Sequence, residues 1–128
     1  MPVEVSWMYS NRVIKVHQYG KVSSHQIVDA IAEAREMMKQ GIAPVHTIVD
    51  GLDVEGKPDV ALGDMRKLIP TIHETTGWMI VMQNRTMDRF FTSVGMQIAG
   101  IRYKFAPDEK SALKILLECD PTLIDVIR

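Results

Sequence analysis

Five consecutive apolar residues, Trp78-Met79-Ile80-Val81-Met82, stand between a polar stretch ending in Gly77 and the polar triplet Gln83-Asn84-Arg85. A run this short and this uniformly apolar predicts a strand with both faces covered, which requires a sheet with helices on two sides. Val45-His46-Thr47-Ile48-Val49, after Pro44, reads as a second, β-branched strand that ends at Asp50. Two strands of this type separated by helical patterns point to an α/β domain with a largely parallel sheet.

The start of the chain is different. Residues 3–9 alternate, with Val3, Val5, Trp7 and Tyr9 on one face and Glu4, Ser6 and Met8 on the other, the period of a half-buried strand. Ser10-Asn11 supplies a turn, and Arg12 to Tyr19 returns antiparallel as far as Gly20, which makes an opening hairpin. Ser23 followed by Gln26 forms a capping box, and Ile27, Ala30, Ile31, Ala34 and Met38 recur at helical spacing until Gly41 stops the helix.

A helix is expected from Pro58 to Ile69, ended by Pro70, and another along the stripe Met87, Phe90, Phe91, Val94 and Ile98, ended by Gly100. Ile101 to Phe105 alternates as a last strand. Pro107 opens a fourth helix carrying Ala112, Leu113, Leu116 and Leu117, and Asp120-Pro121 breaks it before a short apolar turn, Leu123 to Ile127. The fold class expected is α/β: an opening β-hairpin followed by βαβαβα, a mixed, mostly parallel sheet covered by about four helices, with crossovers of the usual hand.

Composition limits the task. At 128 residues with 46% apolar and 24% charged content, one domain over residues 1–128 is expected, with a substantial core. A net charge of −1 excludes a general nucleic-acid binder, which needs a basic excess to displace counterions from phosphate. One cysteine, Cys119, allows no internal disulfide, and no apolar run approaches a membrane span. Met1 to Val5 lacks a leader pattern, so a cytoplasmic location is expected.

The element order, with Asp50 after a central strand and Asp59 nine residues later at the start of the next helix, resembles the STAS domain of anti-sigma-factor antagonists and sulfate-transporter tails. Members of that family open the second helix with Asp-Ser-Ser/Thr-Gly, and the resemblance would put the phosphorylated hydroxyl directly after Asp59. Val60, Ala61 and Leu62 stand there instead, and none can accept phosphate. The chain also looks like a group of STAS-like bacterial proteins of unassigned role, and the resemblance implies a regulatory or protein-interaction module that is not switched at this position. Some of those proteins are likened to CRAL-TRIO lipid-binding domains, which raises a small apolar-ligand carrier as the alternative.

In open α/β sheets ligands gather beyond the C-terminal ends of the strands. The residues expected to bind a protein partner there are Asp50, Gly51, Asp53, Asp59 and Val60, with Gly51 and Gly56 permitting close approach. The carrier alternative would use an apolar pocket around Trp78, Phe90, Phe91 and Tyr103.

No catalytic residue, metal or cofactor is expected. Val54 and Lys57 interrupt the acidic run Asp50, Asp53, Glu55 and Asp59, which fits no calcium loop. His17, His25, His46 and His73 are dispersed and expected at the surface or half-buried, and neither a nucleophile elbow nor a glycine-rich phosphate loop occurs. Cys119 sits between Glu118 and Asp120, which disfavours its thiolate. Arg85, Arg89, Arg102 and Lys104 read as edge protection, the nine methionines mostly as core filling, and the apolar end Leu123, Ile124, Val126 and Ile127 as a docking segment that makes a homodimer an expectation.

Overall fold

The computed structural model describes residues 3–21, 24–42, 44–54, 76–82 and 102–127. Among the described residues, five strands form one sheet in chain order: β1 (Val3–Tyr9), β2 (Val13–Gly20), β3 (Val45–Val54), β4 (Thr76–Met82) and β5 (Tyr103–Ala106). Only the β1–β2 pair is antiparallel, and β2–β3, β3–β4 and β4–β5 are parallel. This is the mixed, mostly parallel sheet that the alternation of periods predicts.

Helix α1 (Ser24–Gln40) lies on one face of the sheet. Its Ala30, Ala34 and Met38 are buried with Ile14, Val16 and Val45, and Val3, Val5 and Trp7 pack at the margin of that cluster. Helix α2 (Glu109–Cys119) and a 3-10 helix (Pro121–Asp125) cover the other face. There Ala112, Leu116, Leu123 and Ile127 close over Val13, Ile48, Ile80, Met82 and Ala106. The apolar C-terminal end is thus tucked into its own core through Leu123 and Ile127, while Ile124 stays 66% exposed.

Local chemistry accounts for the element ends. Asn11 adopts φ 69°, a left-handed conformation that asparagine tolerates, and closes the β1–β2 hairpin. Its carbonyl accepts the Ile42 N–H at 2.8 Å, which ties the hairpin to the end of α1. Gly41 is required at that junction, since a Cβ there would lie 2.8 Å from the Asn11 carbonyl oxygen. Asp108 caps α2, its carboxylate accepting the Ser111 N–H at 2.7 Å. Pro107, expected to open that helix, precedes the cap by one residue.

Three departures from the expected pattern each accompany a slip in strand register. Between Trp7 and Tyr9 the β1–β2 pairing shifts by a residue, so Met8 and Tyr9 pack toward the α2 side, and Tyr9 leaves the face of Val3, Val5 and Trp7. Strand β3 does not end at Asp50 but runs on to Val54, with a second slip opposite His17 and Tyr19. Strand β4 begins at Thr76, two residues earlier than expected, with a third slip opposite Val45 and Thr47. The helices expected from Pro58 and along Met87 to Ile98 lie outside the described residues, as does the cap residue Ser23.

Candidate functional site

Two polar clusters sit at opposite ends of β3, about 13 Å apart along the strand at the usual rise. The upper one is at the C-terminal rim. In regular pairing, residues three apart on a strand face opposite sides, so Asp50 and Asp53 should point apart. The register slip changes this, because His17 pairs with Asp50 and Tyr19 with Asp53, two residues of β2 against three of β3. His17 Nε2 stands 3.0 Å from Asp53 Oδ2, and ligand atoms of His17, Asp50 and Asp53 lie within 4.8 Å of one another.

Supporting contacts hold this rim in place. The Leu52 N–H donates to Asp50 Oδ1 at 3.2 Å, which fixes the carboxylate against its own strand. The Tyr19 ring lies against the His17 imidazole with centroids 5.3 Å apart. Gly51 and Asp50 are half-buried and Asp53 is exposed, so the cluster faces solvent with one end anchored in the sheet. On the same side Lys15 Nζ bonds Glu109 Oε1 at 3.1 Å, which joins β2 to the first turn of α2.

The lower cluster is built around a buried ring. His46 is 1% exposed, against the expectation of a surface or half-buried histidine. Its Nδ1 accepts the Trp78 N–H at 2.9 Å, at the point where the third register slip turns that amide toward it. An amide can only donate, so Nδ1 carries no proton and Nε2 carries it, donated to Asp120 Oδ2 at 2.8 Å. Arg12 donates to the same oxygen at 3.0 Å and to Thr122 Oγ1 at 3.0 Å. The second oxygen, Oδ1, accepts both the backbone N–H of Thr122 at 3.1 Å and its hydroxyl at 2.5 Å.

Electrostatics follow from these contacts. Burial pushes the His46 pKa below its ordinary 6.5, although Asp120 pulls the other way. For Asp120, burial works to raise the pKa, but the hydrogen bonds from Thr122 and His46 outweigh it and hold the carboxyl below 3.8. A His–Asp pair has the look of a catalytic dyad, yet both ring nitrogens are engaged and the ring is covered. Gly77 lies directly against it, where a Cβ would come within 2.5 Å of Nδ1. The pair clasps β3 and the start of β4 to the C-terminal end of α2.

The partner-binding residues predicted from sequence separate accordingly. Asp50, Gly51 and Asp53 are together, as strand residues and not loop residues, while Asp59 and Val60 lie outside the described residues. In the pocket alternative, Trp78 and Tyr103 fall on opposite faces of the sheet, since Tyr103 pairs with Met79. Trp78 is flanked instead by Arg102 and Lys104, at 5.5 and 5.3 Å from its ring. Phe90 and Phe91 lie outside the described residues. Sequence reading missed His17, whose only signal is its place near the end of the strand beside β3, and the His46–Asp120 pair, whose partners are 74 residues apart.

Comparison with solved structures matches this architecture to an uncharacterised protein of the DUF3478 family from Shewanella loihica PV-4, described as having a SpoIIAA-like fold. The TM-score is 0.62 at 17% identity, over 89% of this chain and 91% of the other. The fold is STAS-like. At that identity the likeness speaks for the fold alone. No family model and no curated protein matches the sequence. Among the described residues of this STAS-like chain, no helix is long and apolar enough to cross a membrane.

Proposed function

We propose that this chain is a non-enzymatic interaction module of bacterial regulation, working in the cytoplasm, that docks a protein partner through the C-terminal rim of its sheet. The observation that carries this reading is the acidic end of β3: Asp50 anchored, Gly51 beside it and Asp53 presented to solvent on a STAS-like scaffold. Asp59 and Val60 belong to the expected docking set by sequence, and the absence of a hydroxyl at Val60, Ala61 and Leu62 argues for recognition without phosphorylation there. The engaged nitrogens of His46 support a role other than acid–base catalysis. A net charge of −1 favours a protein over a nucleic acid as partner.

The test is quantitative affinity capture from the native host with the unaltered chain, Asp53→Lys and Val60→Asp, each first shown to melt normally. A partner held by the unaltered chain and released by both variants supports the docking surface. Identical capture profiles, or phosphate transferred by a kinase onto the stretch from Asp50 to Leu62, overturn it.

A further inference from the structure

We propose that His17, Asp50 and Asp53 form a binding site for a divalent transition-metal ion of the zinc type. This goes beyond the docking reading and does not rest on it. One imidazole nitrogen and two carboxylate oxygens within 4.8 Å of one another are a mixed nitrogen and oxygen donor set, of the kind that suits zinc. The histidine comes from a different strand from the two acids, so the grouping exists only because β2 and β3 pair as they do.

Geometry supports the assignment. Ligands about 2.1 Å from a tetrahedral ion stand about 3.4 Å from one another. The His17–Asp53 separation of 3.0 Å already falls inside that figure, and the three donors, all within 4.8 Å of one another, need to close by at most about 1.4 Å to reach it. The slip in register between His17 and Tyr19 is what turns Asp53 to the side of Asp50 and His17, and bulges of this kind commonly re-aim a side chain beside a site. The anchored Asp50 carboxylate and the Tyr19 ring against His17 supply outer contacts that hold two of the three donors in orientation. Three protein ligands leave a fourth position, open to water or to a donor from another molecule.

The ion would replace the hydrogen bond between His17 and Asp53, binding Nε2 of the neutral imidazole in the tautomer that carries its one proton on Nδ1. Hard cations such as magnesium gain little from an imidazole, so discrimination between zinc and magnesium is part of the expectation.

The experiment uses the purified, tag-free full chain, stripped with a chelator, with zinc chloride as the probe in titration calorimetry and thermal melting. Expected are one zinc ion per chain, a rise in melting temperature, and an affinity lowered roughly tenfold or more in both His17→Gln and Asp53→Asn. Cys119→Ser should bind as the unaltered chain does. Absence of saturable uptake up to about 1 mM zinc overturns the site. So does an affinity unchanged in the folded His17→Gln and Asp53→Asn variants, or magnesium binding as tightly as zinc. No partner is present in this measurement, so its failure leaves the capture experiment standing, and the reverse also holds.

Discussion

At His46 one buried ring joins three segments that are distant in sequence. Its Nδ1 holds the bulged start of β4, its Nε2 holds Asp120 between α2 and the 3-10 helix, and Asp120 in turn holds Arg12 from the opening hairpin. Replacing Asp120 with Asn removes the charge that both His46 and Arg12 address, with those side chains only 1% and 14% exposed. The expected loss is about 3 kcal/mol, read from urea unfolding, because partners left buried without their counter-charge cost more than the pair contributes. A loss under about 1 kcal/mol would mean that water satisfies the clasp. The same ring makes stability depend on pH. Its folded pKa lies below 6.5, so the unfolded chain binds more protons as pH falls through that value. The His46 contribution is therefore complete above 6.5 and is lost below it, by at most about 1.4 kcal/mol per pH unit. Asp120 acts in a lower window: its contribution is present above 3.8 and disappears as pH falls through its depressed folded value. Unfolding midpoints between about pH 7 and pH 5 should fall for the native chain and stay flatter for His46→Asn, and parallel curves would contradict this assignment.

Among the elements, the β1–β2 turn has the narrowest sequence tolerance. Asn11 sits at φ 69° and its carbonyl receives the Ile42 N–H, so this turn fixes both the hairpin and the exit of α1. Asn11→Val places a β-branched residue in the left-handed region and should cost roughly 1–2 kcal/mol, whereas Asn11→Gly should be close to neutral. Thermal or urea unfolding of the two variants side by side is the check, and equal losses would show that side-chain chemistry and not backbone conformation matters there. The period-2 pattern of residues 3–9 predicts this hairpin correctly, and the helical spacing of Ala30, Ala34 and Met38 predicts the buried face of α1. The same pattern places Tyr9 on the wrong face, because alternation assumes unbroken register and β1 slips between Trp7 and Tyr9, whereas the end read at Asp50 comes too early because β3 stays paired with β2 as far as Val54.

Across the whole molecule, the sheet is closed by its C-terminal end. Leu123 is fully buried among Val13, Ile48, Ile80 and Leu116, so the 3-10 helix completes the core on the α2 side. Leu123→Ala should lower stability by roughly 2–5 kcal/mol, visible as an earlier urea midpoint with cooperative unfolding retained. Ile124, exposed in the same helix, should tolerate alanine with little change, and equal losses at the two positions would show that this segment is not docked as described. Leu123 and Ile127 are buried within this one chain, while Ile124 of the same apolar end stays exposed.

Period and punctuation in the sequence determined the strands, the two described helices, their order and the class of sheet, because those signals are local: apolar residues two apart for a strand, three and four apart for a helix, with glycine, proline and cap residues at the ends. They also marked Asp50, Gly51 and Asp53 as members of one rim. Only the tertiary structure decided that His17 joins Asp50 and Asp53, and that His46 is clasped by Asp120 with Arg12 beside it. Those groupings depend on which strands lie side by side and where a ladder slips by one residue, and both are settled by packing between segments that no local pattern can register.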